Sequence, residues 1–319
     1  MAKIRDVRAL AGFARRAGPL LWRRMSEDRA RVVQPAPRRP DFSSWSDEGI
    51  HALWIGHSTV LLRIDGLTIL TDPVFSTRIG VGVGPVTIGM KRLVAPAALP
   101  EDLPRPDVIL LSHAHMDHFD RPSLRTLEHR GSTVVTAAST SDLLRVKRYQ
   151  KVHELKWDET ARVGSASIRA FEVRHWGART HTDVHRGYNG YVIEVGRHRV
   201  LFGGDTAYTD SFRRLRSSKE FDLAIMPIGA YDPWINAHCN PEQAFQMAKD
   251  AGANLILPVH HQTFKLSSEP YLEPIERILD AAGERVVVRE IGGEFRSNND
   301  QAYNPRSFEA EATRSSASI

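Results

Sequence analysis

Ser112-His113-Ala114-His115-Met116-Asp117-His118-Phe119-Asp120 follows directly on the apolar run Val108-Ile109-Leu110-Leu111 and packs three imidazoles and two carboxylates into eight residues. Pro106 and Asp107 bound the run, which predicts a short buried strand that ends where the ligands begin. In an extended segment residues i and i+2 share a face. His113 and His115 are thus expected to close on one cation at about 2.0–2.1 Å, while Asp117 and His118, past the bend, face a neighbouring point. That geometry suggests two cations sharing one water. A merely solvated polar loop has no need of this spacing.

The 319 residues, 41% apolar and 25% charged, suffice for one large core, so one catalytic domain with tails is expected. Cys239 stands alone, which excludes an intrachain disulfide and a thiolate zinc site and fits a reducing compartment. Within the first forty residues, eleven Lys or Arg face only Asp6, Glu27 and Asp28. The basic excess therefore belongs to this arm, not to the remaining chain. On a helical wheel Ile4, Val7, Ala11, Ala14, Leu21, Trp22 and Met25 share an arc, interrupted at Gly18-Pro19. The pattern suits an interfacial helix on anionic lipid, and equally a helix packed on the protein's own body. Arginine pairs break every apolar run, leaving no secretory core or membrane span. A cytoplasmic protein, peripheral on the inner membrane face if residues 1–25 bind lipid, is the expectation. Pro35-Ala36-Pro37-Arg38-Arg39-Pro40 reads as an extended linker. The boundaries are an arm and linker over 1–45, one main domain over 46–296 and a polar, disordered tail over 297–319.

Strands are expected at 52–55, 60–64 and 67–71, the last two joined by the Asp65-Gly66 turn, and residues 76–93 as a Gly-rich loop. Serine-capped helices over 123–130 and 141–147 flank a strand at 133–136. Further strands are predicted at 167–173, 188–195, 199–202, 223–226 and 254–257. One helix follows Asp210, and Pro241 opens another that runs to about residue 249. Periodicity alone gives mixed α/β.

The first stretch resembles the His-x-His-x-Asp-His signature of the metallo-β-lactamase superfamily. Trp54-Ile55-Gly56-His57-Ser58-Thr59-Val60, Leu70-Thr71-Asp72-Pro73-Val74-Phe75, Phe202-Gly203-Gly204-Asp205-Thr206-Ala207-Tyr208, Pro227-Ile228-Gly229-Ala230-Tyr231 and Pro258-Val259-His260-His261-Gln262-Thr263-Phe264 follow in the order used by N-acyl-phosphatidylethanolamine phospholipase D and its bacterial relatives. The resemblance covers roughly residues 50–275 and implies a four-layer αββα sandwich. It implies one cation on His113, His115, His175 and Asp205, and a second on Asp117, His118, Asp205 and His260. Asp205 would bridge the two, since one carboxylate has two oxygens and Gly203 and Gly204 let the backbone approach. His261 rivals His260, because a slip of one residue exchanges them. Where this chain has His261-Gln262 the family usually has Trp-Gly. With no thiolate, two Zn2+ suit the donors first, with iron and manganese open on ligand type.

The resemblance also places His57 and Asp72 beside the ligands, Asp72 orienting an imidazole through its free N–H; each also reads as a simple turn residue. Asp117 counts as catalytic as well as ligating. His238 is expected to contact the scissile phosphate or the leaving oxygen, or else to belong to a helix cap. Arg179 is expected to hold a phosphate oxygen or to form a surface ion pair. His51, His129, His153, His181, His185 and His198 lack such context. The implied activity is a phosphodiesterase of phospholipase D type, with a metal-bridging hydroxide attacking an N-acyl-phosphatidylethanolamine-like or related diester. A lactonase or other carbon-ester hydrolase is the alternative, and a non-enzymatic scaffold is disfavoured because all seven ligands are present. The expected partners are a phospholipid or phosphodiester and an anionic membrane surface; no nucleic acid is expected, and a homodimer stays open.

Overall fold

The computed structural model describes residue 28 and residues 31–83, 86–180 and 182–297. The arm expected over 1–25 lies outside the described residues, as does the expected tail apart from Ser297.

Strands β1 (Ile50–Gly56), β2 (Thr59–Ile64) and β3 (Leu67–Thr71) form an antiparallel meander, followed by a separate two-stranded hairpin of β4 (Arg78–Val83) and β5 (Val86–Lys91). Strands β6 (Val108–Leu111), β7 (Thr133–Ala137) and β8 (Lys151–Leu155) then extend the meander in parallel. The second sheet takes β9 (Thr160–Val163), β10 (Ala166–Phe171), β11 (Gly190–Val195), β12 (His198–Phe202), β13 (Leu223–Pro227) and β14 (Ile256–Val259). Its last three strands are parallel. Strand β15 (Glu294–Ser297) returns to the first sheet beside β1.

Strands β1, β6, β7, β12, β13 and β14 are buried on both faces and read as near-continuous apolar runs, whereas the edge strands β8, β9 and β15 are partly exposed. The pleat sorts them. Ala52 and Trp54 of β1 enter the layer between the sheets with Ile168, Tyr191 and Phe202, while Leu53 and Ile55 face outward against Phe119 and Leu124. Helix α1 (Arg121–Thr126) lies on that outer face, and α2 (Pro241–Ala251) and α3 (Glu273–Ala282) cover the outer face of the second sheet through Phe245, Met247, Ile275 and Ile278. The four layers are αββα. Helix α2 starts at a capping box, Asn240 accepting from the Gln243 backbone N–H and Gln243 reaching back to Asn240, and stops at left-handed Gly252.

Several local expectations change. The Gly-rich stretch over 76–93 is the β4–β5 hairpin, because its β-branched residues pair across Gly80 and Gly89, whose backbones meet too closely for any Cβ. The helix expected over 141–147 is two short 3-10 turns, Ser141–Leu143 and Val146–Arg148. The Glu154 carboxylate already accepts from the Ser139, Thr140 and Ser141 N–H groups, so no longer helix is needed to satisfy them. Helix α1 is capped by Asp120, three residues before the serine expected to cap it. The helix after Asp210 is a 3-10 helix, Asp210–Leu215. Strand β10 ends at Phe171, so His175 sits on the loop beyond it rather than at its tip. Strands β8, β9 and β15 and helix α3 were not legible beforehand. The segment read as a linker begins on the domain surface, where Gln34 bonds to Leu93 and Ala95.

Candidate metal centre

The loops that leave β1, β3, β6, β10, β12, β13 and β14 converge at one edge of the sandwich and bring together nearly every residue singled out from sequence. His113 Nε2 lies 2.8 Å from His115 Nδ1, and His175 Nε2 lies 3.3 Å from the same atom. Three ring nitrogens thus face one point, at spacings close to the roughly 3.3 Å between ligands that sit 2.0–2.1 Å from a tetrahedral cation. A second group faces a neighbouring point: His118 Nε2 and His260 Nε2 each lie 3.6 Å from Asp117 Oδ2. Asp205 joins the groups. Its Oδ2 is 3.1 Å from both His118 Nε2 and His260 Nε2, 3.8 Å from His175 Nε2 and 4.0 Å from His113 Nε2.

The ring atoms turned away from the centre fix which nitrogen is free. Asp72 Oδ2 accepts from His118 Nδ1–H at 2.7 Å, and the Ala237 carbonyl accepts from His175 Nδ1–H at 2.9 Å. Ser112 Oγ donates to Asp72 Oδ2 at 2.6 Å and accepts from His113 Nδ1–H at 2.9 Å. Each of these rings therefore has Nδ1 engaged outward and turns Nε2 inward, the atom through which such a histidine would hold a metal. His118 Nε2, His260 Nε2 and Asp205 Oδ1 are buried with no partner in hydrogen-bond geometry. Buried polar atoms left in this way are a sign of a missing ion, and this donor set of imidazoles and carboxylates fits a divalent metal.

Charge agrees with that reading. Burial alone would raise the Asp205 carboxyl, yet His118 and His260 hold it well below the usual range. Burial would lower His118 and His260, yet Asp205 and Asp117 lift both, His260 to about 9. Without a cation, protons on these two rings compensate the buried carboxylates. His113 and His175 are pushed well below 6.5 by burial.

Local backbone serves the site. His57, Asp72 and His260 all have positive φ, at 54°, 32° and 65°, a conformation that non-glycine residues adopt at a cost of about 1 kcal/mol or more each. Gly229 passes so close to the His260 carbonyl that a Cβ would lie 2.3 Å from it. In this register His260, and not His261, faces Asp117 and Asp205. His261 instead stacks on Trp54 at 4.5 Å.

His57 stands at the second group, with Nε2 3.1 Å from Asp117 Oδ2 and its backbone N–H bonded to Thr263 Oγ1. Burial, then His260, lowers its ring to about 3. His238 is buried beside Asp205, Nδ1 3.8 Å from Asp205 Oδ2, and burial lowers it to about 4. Arg179 is held against the ligand loop through one arm of its guanidinium. Its Nη1 donates to the Ala114 and Phe119 carbonyls at 3.0 and 2.8 Å, so it braces the ligand loop rather than presenting that group to a phosphate or to an acidic side chain. Ser112, Thr263 and the Ala237 carbonyl were not singled out from sequence; a hydroxyl directly before a ligand histidine is the one signal that could have marked Ser112. Trp176, 44% exposed, packs its ring 4.8 Å from His115 at the mouth of the site.

Comparison with known proteins agrees with the geometry. The sequence model of the β-lactamase superfamily domain matches residues 68–261. An uncharacterized protein of Mycobacterium tuberculosis is 33% identical over 273 residues, covering 82% of this chain and 73% of that protein. The N-acyl-phosphatidylethanolamine-hydrolyzing phospholipase D 1 of Caenorhabditis elegans is 30% identical over 255 residues, 73% of this chain and 70% of its own length. Among solved structures, the isothiocyanate hydrolase from Delia radicum gut bacteria superposes with a TM-score of 0.63 at 17% identity, over 78% of this chain and 99% of that one, which speaks for the fold alone. The converging imidazoles and carboxylates, the αββα layers and these relatives together show that the chain belongs to the metallo-β-lactamase superfamily, as a metallo-hydrolase homologous to the N-acyl-phosphatidylethanolamine phospholipases D.

Proposed function

We propose that the protein is a binuclear zinc phosphodiesterase of phospholipase D type that cleaves N-acyl-phosphatidylethanolamine-like diesters. The observation that carries the reading is Asp205 Oδ2, within 4.0 Å of ring nitrogens from both donor groups. His113, His115, His175 and Asp205 would hold one cation, and Asp117, His118, Asp205 and His260 the other. Such cations lower the pKa of water towards neutrality and offset charge on phosphoryl oxygens.

The chain's own groups supply the rest. His57, with Nε2 3.1 Å from Asp117 Oδ2, holds Asp117 in place. His238, neutral at pH 7, is suited to donate a hydrogen bond to a phosphoryl or leaving oxygen rather than to transfer a proton. Trp176, 44% exposed with its ring 4.8 Å from His115, gives the entrance an apolar rim suited to a lipid. The name of the worm relative points to the same substrate class. A sugar lactone, the other substrate compatible with the sequence, has no use for that rim.

The experiment is hydrolysis of N-acyl-phosphatidylethanolamine in mixed micelles, run beside lactone and thioester panels. Release of phosphatidic acid and N-acylethanolamine, abolished by a chelator and restored by zinc, is expected. Lactone turnover without phosphatidic acid would replace this reading with the carbon-ester one.

A further inference from the structure

The helical layer outside the first sheet carries a concentration of charge that the metal centre does not use. Over residues 121–151 seven Lys or Arg stand against only Glu128 and Asp142, although the chain beyond the basic arm has slightly more Asp and Glu than Lys and Arg. Helix α1 brings Arg121 and Arg125, one turn apart, and Arg130 follows it. The 3-10 turn Val146–Arg148 adds Lys147 and Arg148. Packing makes one surface of the two segments. Leu143 and Leu144 rest on the cluster that holds Leu124, Tyr149 Oη donates to the Leu124 carbonyl at 2.9 Å, and Arg121, Arg125 and Arg145 line one cleft.

Little offsets these charges. Asp142 is taken by Arg186, whose Nη1 and Nη2 donate to it at 2.6 and 2.9 Å, and Glu128 is shared by Arg145 and Arg148 at 3.4 and 3.8 Å. Arg121, Arg125, Arg130 and Lys147 are exposed and form no ion pair among the described residues. Cations gathered in this way repel one another and fit a surface of opposite charge. Arg121 follows directly on Asp120, the last residue of the ligand stretch, so the basic face begins where the metal loop ends.

We propose that this face docks the protein on an anionic bilayer, with Arg121, Arg125, Arg130 and Lys147 against the lipid headgroups. The choice of a bilayer rests on the reading of the protein as a hydrolase of lipid diesters. Two observations favour it over a nucleic acid. Tyr149, the one Phe, Tyr or Trp over residues 121–151, is buried, so the face has no such ring on which a base could stack. Val146, 45% exposed between Arg145 and Lys147, offers an apolar side chain to the headgroup region.

The test is partitioning of the full chain onto sedimented vesicles of phosphatidylcholine with and without phosphatidylglycerol, at physiological salt. Wild type is expected to bind the anionic vesicles and not the neutral ones. Arg125→Gln/Arg130→Gln/Lys147→Gln is expected to weaken binding about a hundredfold, at about fivefold per cation, while keeping turnover of bis(p-nitrophenyl) phosphate. Arg214→Gln/Arg216→Gln/Lys219→Gln removes the same charge from exposed positions outside the second sheet. Charges act over only about 8 Å at this salt, so this control is expected to change binding less than about threefold. The basic arm is intact in every variant and cannot separate them. Should the first triple variant not fold, Arg125→Gln and Lys147→Gln singly are each expected to lose about fivefold. Equal binding by the two triple variants, or neutral vesicles bound as tightly as anionic ones, overturns the proposal. So does a first triple variant that loses binding to duplex DNA and keeps its binding to vesicles. A protein that hydrolyses the soluble diester but binds vesicles equally with and without these cations overturns the docking face alone. Vesicle binding that depends on them, in a protein that cleaves no phosphodiester, overturns the functional reading and leaves the docking face standing.

Discussion

Asp72→Asn changes one atom and isolates what holds the ligand loop in register. Asp72 is fully buried and accepts three hydrogen bonds: Ser112 N–H at 2.7 Å, Ser112 Oγ–H at 2.6 Å and His118 Nδ1–H at 2.7 Å. Two of these donors meet Oδ2. Keeping the Asn carbonyl on the Ser112 backbone turns the new NH2 group towards both. His118 escapes the clash only by moving its proton to Nε2, the atom facing Asp205, and so loses its metal lone pair. Changes to such supporting contacts cost about 10–100-fold in metal affinity, or about 1.4–2.7 kcal/mol. Zinc affinity measured by competition with a chromophoric chelator should fall by that factor, with the far-ultraviolet dichroism unchanged. A change under about threefold would refute the claim that Asp72 sets the His118 tautomer.

Other consequences follow from the same geometry. Because Asp205, with Asp117 contributing, overcomes burial and lifts His260 to about 9 in the metal-free protein, that ring is protonated at pH 7 and must release its proton to bind a cation. Zinc affinity should rise with pH up to about 9 through this group, and calorimetry in buffers of different ionisation enthalpy should register proton release; no buffer dependence would contradict it. Arg179→Ala should lower metal retention about tenfold by freeing the Ala114 and Phe119 carbonyls. A raised KM with unchanged metal content would instead restore the phosphate-binding role. Deleting residues 1–27 leaves the contacts of Asp28 and Arg31 with the β4–β5 hairpin in place. The deletion should spare turnover of a soluble diester and reduce turnover of the same bond in anionic vesicles, more so at low salt; equal effects on both would end the membrane-arm proposal.

The strand that carries the ligand loop was legible from local pattern, whereas the four layers followed only from the family resemblance, periodicity giving no more than mixed α/β. Val108–Leu111 is apolar at four successive positions, so a buried strand was the natural reading, and the two-residue spacing of His113 and His115 puts both on one face. What long-range packing decides was less accessible. His57 and Asp117 are 60 residues apart, and only the closure of the β1–β2 turn over the loop brings them to 3.1 Å. Nothing in the sequence around Arg179 shows that two carbonyls of the ligand loop would engage its Nη1. His260 was chosen over its rival His261 on the family resemblance, since adjacent residues differ only in facing; in the structure His260 turns towards Asp117 and Asp205 and His261 stacks on Trp54. The β4–β5 hairpin was hidden by its glycines, which usually mark loops but here allow two strands to cross closely.

The central claim is that one carboxylate joins two cation sites, and metal content measured by plasma mass spectrometry on dialysed protein tests it most directly. Wild-type protein should hold two zinc ions per chain, His260→Ala should lose mainly one, and Asp205→Asn should lose both together. One ion per chain in the wild type, or two retained in Asp205→Asn, would contradict the account.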